Sequence, residues 1–579
     1  MQPQGNQGAP TTMGARLCPG ILRAVVLAAA LLAAALYVYR GSGGFDFVNL
    51  DDPDYVSRNP KVLDGLSWGG ARWALTAFHA ANWHPLTWLS HMADASLFGA
   101  GAGAPHLVNL GLHAASALAL FELLCALTGS IWRSVAVAAL FAVHPVQVES
   151  VAWIAERKTV LAGLLGVLAV RVYLRQLARP RPRSFAGVAA LLAAGLLAKP
   201  MLVVLPLLLL LLDWWPLGRL GRRGGTLGDA RPLVVEKLPL FALALLSGAV
   251  TIAAQSRVGA VASLEFYPLS IRLGNALLSC TAYLGELALP RDLTAFYPHP
   301  SANLSWGRVG LAALALAAIC AAAWRARRAA PYAAFGWLWY LVALLPVIGI
   351  IQVGSQARAD RYLYLPLIGV SLALVWGVAD LARSRPRWRL PAALSIAAAI
   401  ALLAAAAHRQ VGYWRDSRTL WEHALAVNPK DEVALYQLSE YDKDLGRFSD
   451  QADLLRRLIA VNPRHERARN NLGIARYQLG EKPQALLADY EALLAINPKN
   501  VKALQNYGYL LIEAGRAAEA AARLELAVAA EPGYCTALNN LGRAYLAAGD
   551  KPRARRAFER AAACDPRQAK YRANLELAR

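Results

Sequence analysis

Long apolar runs dominate the first 410 residues of the chain. Residues 201–215 and 311–324 contain a single charged side chain between them, and a helix that crosses a bilayer needs about 20 apolar residues. The 579-residue chain is 57% hydrophobic and only 17% charged, which is less charge than a soluble globular protein carries. We therefore predict a polytopic membrane domain over residues 1–410.

Eleven apolar segments are the predicted spans. They cover residues 21–40, 106–128, 134–151, 159–176, 184–198, 201–215, 237–255, 307–324, 332–351, 361–381 and 390–408. A twelfth apolar segment, residues 271–289, contains Arg272, Asn275 and Glu286, and this polar content favours an interfacial or re-entrant helix. The first run has no clear cleavage site after it, so we interpret it as an uncleaved span.

The formal net charge of +22 is first explained by loops on the cytoplasmic side of a membrane. With the N-terminus inside, eleven crossings place the four basic clusters inside, at residues 175–183, 219–231, 325–328 and 383–389. The same count places the C-terminus and the long first loop, residues 41–105, outside. No nucleic-acid-binding pattern is present, so we do not predict a nucleic-acid partner.

The last part of the chain contains a repeat. Five prolines step by about 34 residues, at Pro429, Pro463, Pro498, Pro532 and Pro566, which is the tetratricopeptide period of two antiparallel helices per unit. The last unit has the expected side chains at Leu541, Gly542, Tyr545, Gly549, Ala554, Phe558 and Ala561. We therefore predict an α-solenoid over residues 411–579, and an all-α chain overall. The segment 414–429 is predicted to be a lone helix that joins the solenoid to the last span.

A solenoid of this kind offers a concave surface for a peptide or protein, although the period alone does not distinguish a binding surface from a spacer. The small residues of each unit are expected where its two helices cross closely. Six cysteines show no metal-ligand spacing. Cys535 and Cys564 lie in the repeats, and we expect them to be unpaired.

An acidic motif directly follows the first predicted span. The stretch FDFVNLDDPDYV, residues 45–56, contains Asp46, Asp51, Asp52 and Asp54. A solvated loop is one interpretation. A carboxylate at the membrane surface is nevertheless costly without a partner, so we favour a functional role for Asp51 and Asp52. Asp46 and Asp54 are interpreted as structural or solvated.

Other polar residues of the predicted outer face form a candidate site. Arg358 and Arg361 precede a span and could bind a phosphate as an arginine fork or anchor the chain at the interface. Lys199 could present an ammonium group to a lipid phosphate or only mark a turn. His84 and His144 precede prolines and could simply end helices. The segment around His144 also carries several charged residues, Glu149, Glu156, Arg157 and Lys158.

This layout suits a transferase that uses a lipid-phosphate sugar. A carboxylate beside the first span would take a proton from an acceptor hydroxyl, and cations would neutralise the departing lipid phosphate.

The chain resembles bacterial relatives of the transmembrane and tetratricopeptide-repeat O-mannosyltransferases, which belong to the GT-C glycosyltransferase superfamily. The segments that carry the resemblance are FVNLDDPDYV, NWHPLTWLSHMADASLFG, HLVNLGLHAASALALF, HPVQVESVAWIAERKTVLAGL, LLAKPMLVVLPLLLLLLDWWPLGR, FYPHP and QARADRYLYLP, followed by the repeats. Asp51 and Asp52 match the acidic pair of that superfamily. The resemblance implies that one of them is a general base and that the reaction inverts the anomeric centre.

The resemblance further implies a polyprenyl-phosphate donor carrying mannose or another hexose, a protein acceptor, and a bacterial inner membrane with the repeats in the periplasm. We add four residues as candidate contacts to the donor phosphate: Arg358, Arg361, Lys199 and Arg157. A second set is expected to line the site or bind the acceptor: Asp54, His84, His144 and Glu149. The sequence shows no full set of metal ligands. Two alternatives stay open: a transferase that modifies an envelope glycan or lipid, and a membrane-anchored scaffold without enzymatic activity.

Overall fold

The computed structural model describes residues 20–220, 227–257 and 259–578. The chain forms two compact units that divide between His423 and Ala424. Helices dominate both units, and the only strands in the described ranges are Tyr297–Pro298 and Gln356–Arg358, which pair antiparallel. The predicted all-α fold class is therefore confirmed.

The first unit contains the apolar helices and the short helices that connect them. In chain order, its described helices are α1 (Ile21–Val38), α2 (Pro60–Leu63), α3 (Trp68–Thr76), α4 (Pro85–Phe98), α5 (Gly103–Thr128), α6 (Ile131–Val143), α7 (Val148–Ala152), α8 (Arg157–Ala178), α9 (Pro182–Ala198), α10 (Leu205–Trp214), α11 (Leu227–Arg257), α12 (Leu269–Ala288), α13 (Trp306–Ala326), α14 (Pro331–Leu344), α15 (Pro366–Ser384), α16 (Arg389–Gly412) and α17 (Ser417–Val427). The last of these begins in the first unit and ends in the second.

Seven helical stretches of the described residues are long and apolar enough to cross a membrane: Ile21–Gly44, Gly103–Thr128, Ile154–Ala178, Ala230–Arg257, Trp306–Ala326, Pro366–Ser384 and Pro386–Gly412. An eighth results if α6 and the helical segment Pro145–Ala152, which meet at a bend of 55°, form one span. Three more of the predicted segments are shorter apolar helices, Pro182–Ala198, Pro200–Trp214 and Pro331–Leu344. The chain is therefore a membrane protein by its helices, and the count of eleven crossings stays a prediction.

Proline explains why two of these helices are short. Lys199-Pro200 separates α9 from α10, because proline lacks an N–H and disfavours helix in the residue before it.

The segment α12 is 20 residues long but is not among the stretches that meet the length and apolarity requirements for a span. Its buried Arg272, Asn275 and Glu286 are the polar residues that led us to predict a non-crossing helix.

Close helix packing supports the site at the start of α15. A Cβ atom on Gly336 of α14 would lie 2.3 Å from the carbonyl oxygen of Gly369 on α15, and a Cβ on Gly369 would lie 2.5 Å from that of Gly336. Only glycine therefore permits these two backbones to approach so closely. The crossing fixes the helix that follows Arg361.

The loop between α1 and α5 is folded by local signals. Asn59 and Ser67 cap α2 and α3 by accepting hydrogen bonds from the backbone N–H groups of Lys61 and Gly70, the usual role of such residues. A π-helical turn, Pro53–Ser57, directly follows the acidic pair. The acidic motif is thus held in an ordered loop.

The second unit is an array of antiparallel helix pairs. Its helices are α18 (Glu432–Asp444), α19 (Phe448–Val461), α20 (Glu466–Gln478), α21 (Pro483–Ile496), α22 (Val501–Glu513), α23 (Ala517–Ala530), α24 (Cys535–Ala547), α25 (Lys551–Cys564) and α26 (Ala569–Leu577). They make four pairs and one final helix, as the period of the prolines predicts.

The small residues of the repeats lie where helices touch. A Cβ atom on Gly508 would lie 2.5 Å from the Cγ atom of Leu524 on the partner helix. Gly473 and Gly542 are equally close to side chains of their own partner helices. The interpretation that these positions are small because two helices cross there is confirmed.

The repeats contain one disulfide, between Cys535 and Cys564, with their Cα atoms 5.6 Å apart. Our expectation that these cysteines are unpaired is wrong. Cys535 begins α24 and Cys564 ends α25, and the antiparallel arrangement of the pair brings those two ends together. The two cysteines are 29 residues apart in the sequence, so the sequence alone does not indicate that they lie close together in the fold.

Candidate functional site

The two central aspartates of the acidic motif have different surroundings. Asp52 is fully buried, and its two carboxylate oxygens accept hydrogen bonds from the backbone N–H groups of Val48 and Ala155, each at 2.9 Å. Burial raises the pKa of Asp52 to about 7, against the two N–H donors, which favour the ionised form. Asp52 therefore ties its own loop to the segment that precedes α8.

Asp51 points toward a cation instead. Its side chain is 43% exposed, and its Oδ2 atom lies 3.5 Å from the Nζ atom of Lys158. Asp54 is exposed, and its backbone carbonyl accepts a hydrogen bond from the side chain of Asn59. Of the four aspartates in the motif, Asp51 is the one that combines an accessible carboxylate with a neighbouring cation.

Three cations surround one buried carboxylate next to Asp51. The side chain of Glu156 is 1% exposed; its oxygens lie 3.1 Å from Lys158 Nζ, 2.9 Å from Lys199 Nζ and 3.6 Å from Arg361 Nε. Thr159 also donates a hydrogen bond to this carboxylate. Asp51, Glu156, Lys158, Lys199 and Arg361 are named here the cation cluster.

Two of the predicted phosphate contacts belong to the cation cluster. Lys199 donates to Glu156 and, at 2.7 Å, to the hydroxyl of Thr159. Burial lowers the pKa of Lys199 to about 8, although Glu156 acts in the opposite direction. Arg361 forms an ion pair with Glu149, and its backbone N–H donates to the same carboxylate at 2.7 Å. The structure therefore brings together Asp51, Lys199, Arg361 and Glu149.

Aromatic rings support the cations of the cluster. Lys158 Nζ lies 4.4 Å from the centre of the Tyr55 ring and 5.3 Å from that of Trp153, and Arg361 Cζ lies 5.4 Å from the Trp153 ring. Such contacts favour a cation in a partly desolvated place. His84 forms a hydrogen bond with the hydroxyl of Tyr55 at 3.1 Å. Burial lowers the pKa of His84, so a neutral imidazole holds the Tyr55 ring in place.

Arg157 faces away from the cluster although it lies between Glu156 and Lys158. Its guanidinium donates to Asn109, to Ser90 at 2.9 Å, to Asp94 at 2.7 Å and to the carbonyl of Pro105 at 2.9 Å. These bonds occupy four of its five N–H groups. Arg157 therefore joins the first loop to α5, and its guanidinium binds protein groups rather than a ligand.

Two further predicted residues lie outside the cation cluster. His144 accepts a hydrogen bond from the backbone N–H of Val146 and bonds the carbonyl of Leu287 at 3.1 Å. Arg358 donates to Glu286 at 2.9 Å and lies over the ring of Tyr297, 4.1 Å from its centre. His144 thus connects helices, whereas Arg358 belongs to a neighbouring ion pair.

Asp360 links this ion pair to the strand pair. It accepts a hydrogen bond from the Tyr297 hydroxyl at 2.8 Å, and burial, with the nearby carboxylates of Glu286 and Glu149, raises its pKa. Arg358 and Arg361 therefore flank a carboxyl group that favours its protonated form.

Glu156 and Lys158 are the cluster members that our site prediction missed. The sequence offers one signal, three consecutive charged residues in an apolar region, of which the prediction includes only Arg157. No group of three His, Cys, Asp or Glu side chains within the described ranges is placed to hold a metal ion.

An apolar groove lies among the helices of the first unit. Its walls come from α5, α8, α10, α14, α15 and the segment before α10, and the lining side chains include Leu120, Gly166, Leu202, Leu212, Trp339 and Leu365. Leu202 and Leu365 lie three and four residues from Lys199 and Arg361. Two residues that line the groove are therefore within four residues of cations of the cluster along the chain.

Known proteins resemble parts of the chain. Tetratricopeptide-repeat sequence models match residues 436–501, 489–522 and 511–576. The protein O-mannosyl-transferase Tmtc2 of Drosophila melanogaster is 29% identical over 119 residues, which is 21% of this chain. The chain thus matches only 12% of the length of that relative.

Solved tetratricopeptide proteins resemble a part of the chain. PilW, a type IV pilus biogenesis factor, is 23% identical, with a TM-score of 0.25, over 29% of this chain and 80% of its own. YrrB, described as a tetratricopeptide protein with an unusual peptide-binding site, is 16% identical over 28% of this chain and 82% of its own, with a TM-score of 0.25.

Proposed function

We propose that the chain is an integral-membrane glycosyltransferase that moves a sugar, mannose or another hexose, from a polyprenyl-phosphate donor to a hydroxyl group of a protein acceptor. The observation that carries the proposal is the accessible carboxylate of Asp51 beside Lys158, Lys199 and Arg361. The local similarity to a protein O-mannosyl-transferase supports the same reaction class.

Asp51 is the general base of this proposal. A base must come within hydrogen-bond reach of the proton that it removes, and the Asp51 side chain is 43% exposed. Asp52 is fully buried with both oxygens occupied by backbone donors, so it holds the loop in place rather than meeting the acceptor.

The cations act on the leaving group. As the acceptor oxygen forms its bond to the anomeric carbon, Asp51 takes the hydroxyl proton, and the bond from that carbon to the phosphate oxygen breaks. The electron pair of the broken bond stays on the lipid phosphate, so its negative charge grows. Lys158, Lys199 and Arg361 are positioned to stabilise that charge, which is the larger part of many enzymatic accelerations. A single displacement of this kind inverts the anomeric centre.

We propose that the lipid part of the donor lies along the apolar groove. Its walls reach from Leu365, next to the loop that carries Arg361, to Leu212 at the far end of α10. The groove therefore supports a lipid-linked donor over a nucleotide sugar.

The disulfide supports an extracytoplasmic array. Disulfides persist in oxidising compartments such as the bacterial periplasm and are rare in the cytosol, and Cys535 and Cys564 are bonded. With Asp51 on the same side, the repeats would be available to acceptor polypeptide. We propose the bacterial inner membrane, with the repeats in the periplasm.

The test is sugar transfer by the purified full chain, with Asp51→Asn compared with wild type. A general base contributes about 10²–10⁴-fold, so the variant should lose at least about 100-fold in turnover while it remains folded. Asp64→Asn, an exposed aspartate of the same loop, is the matched control and should transfer at the wild-type rate. Transfer by Asp51→Asn at the wild-type rate would rule out Asp51 as the general base, whereas no transfer by the wild type would leave the scaffold alternative.

A further inference from the structure

The acidic motif is anchored by a part of the chain that is nearly 370 residues away. The backbone N–H of Asp46 donates to the carbonyl of Arg415 at 2.9 Å. The backbone N–H of Asn49 donates to the hydroxyl of Ser417 at 2.9 Å, and the indole N–H of Trp421 donates to the Asn49 side chain at 2.7 Å. The start of α17 thus completes the loop that carries Asp51.

These anchors lie inside the first unit. Trp421 is fully buried, and Ser417 and Trp414 are 3% and 2% exposed. Hydrogen bonds in such a place are costly to break, because a buried donor or acceptor is left without a partner. The contacts therefore constrain the loop strongly.

The same segment also touches the rings behind the cations. Trp414 stacks on Trp153, with ring centroids 5.7 Å apart and an interplanar angle of 26°. Trp153 is the ring that lies next to both Lys158 and Arg361. Trp414, which follows the last apolar helix, is therefore packed against the ring that supports two cations of the cluster.

We propose that Asn49, Ser417 and Trp421 are positioning residues that set the place of the Asp51 carboxylate, an inference that rests on the proposed function. Asn49 is two residues from Asp51, and two residues of chain span at most about 7 Å. A productive carboxylate must be held within about 0.5 Å. The part of α17 that lies in the first unit thus supports the loop that carries Asp51, although it follows the last apolar helix.

This placement gives the repeats a short connection to the chemistry. Helix α17 ends at Val427, and the first repeat helix, α18, begins at Glu432.

The test compares Trp421→Phe and Ser417→Ala with wild type in the full chain. Each removes one hydrogen-bonding group and keeps most of the buried volume. Because a misplacement of about 1 Å can cost about 100-fold in rate, we expect kcat to fall about 10–100-fold, with the KM for the donor within about twofold. Ser417→Thr keeps the hydroxyl and should restore the rate. Trp388→Phe, at a half-exposed tryptophan before α16, is the control.

A double variant shows whether the hydrogen bond between Trp421 and Asn49 itself accounts for the change in rate. Asn49→Ala and Trp421→Phe remove the two ends of one hydrogen bond, so together they should slow the reaction no more than the slower single variant does. Hydrogen exchange of the amides of residues 48–52 should become faster in Trp421→Phe and stay unchanged in Trp388→Phe.

These measurements distinguish failure of the positioning role from failure of the proposed function. If wild type transfers sugar and Trp421→Phe and Ser417→Ala keep its kcat, the positioning role is overturned and the proposed function stands. If wild type transfers no sugar, the proposed function fails by itself. Unchanged exchange of the loop amides in Trp421→Phe then overturns the anchoring as well, whereas faster exchange upholds it.

Discussion

Replacing Asp52 by asparagine should change how the stability of the chain depends on pH. Asparagine has nearly the same shape, but it does not titrate. Its amide oxygen accepts a hydrogen bond, but its amide nitrogen can only donate. One of the hydrogen bonds from the N–H groups of Val48 and Ala155 is therefore lost. That loss costs about 1–3 kcal/mol at every pH.

The pH-dependent part follows from the pKa of Asp52, which burial raises from 3.8 to about 7. The folded chain keeps this proton at pH values where the unfolded chain has released it. The stabilisation of the folded chain by protonated Asp52 is therefore complete below about pH 4, decreases above it, and is lost as the pH rises through 7. The whole difference corresponds to about 4 kcal/mol, and the part between pH 5 and pH 8 to about 2.5 kcal/mol.

Unfolding of the full chain at pH 5, 6, 7 and 8 measures this contribution. The stability of Asp52→Asn relative to wild type should rise by about 2.5 kcal/mol between pH 5 and pH 8, so the thermal midpoints should approach each other by a few degrees. Asp64→Asn should follow the wild-type curve. Parallel curves for wild type and Asp52→Asn would refute the reasoning, because Asp52 would then be ionised throughout this range.

Three further changes test the rest of the site and the array. Burial lowers the pKa of Lys199 to about 8, so transfer should fall above about pH 8 as the ammonium loses its proton, and Lys199→Arg should move that loss to higher pH in a rate profile. Cys535→Ser should destabilise the repeats by about 3.5 kcal/mol, the chain-entropy value for a loop of about 30 residues, measured by urea unfolding followed by circular dichroism. Gly508→Ala should cost about 1–3 kcal/mol, because its Cβ would lie 2.5 Å from Leu524, whereas Gly533→Ala meets no atom within 4 Å and should be neutral.

Periodic features of the fold could be predicted from the sequence because their physical cause is local. The prolines at 34-residue steps and the small residues at helix crossings predict the array, and the apolar runs predict the helices of the first unit. The disulfide could not be predicted, because the proximity of Cys535 and Cys564 depends on the antiparallel pairing of α24 and α25.

The orientation of neighbouring charges was also beyond the sequence. Arg157 and Lys158 are adjacent at the start of α8, where successive residues point about 100° apart around a helix. Arg157 therefore meets Asp94 and Asn109, while Lys158 meets Asp51 and Glu156. The sequence shows that a cation is present there but not which one faces Asp51, since that depends on the rotation of α8 against its neighbours.

The same reasoning separates two identical residues in one motif. Asp51 and Asp52 are adjacent carboxylates, and composition, charge and family resemblance treat them alike. The backbone N–H groups of Val48 and Ala155 take both oxygens of Asp52, and the price of burying that carboxylate is its raised pKa. A carboxylate held in this way can fix the loop, and the neighbour that stays half-exposed next to Lys158 can then meet a substrate. The structure thus distinguishes the two adjacent carboxylates: Asp52 is held by the backbone, and Asp51 is the one that a substrate can reach.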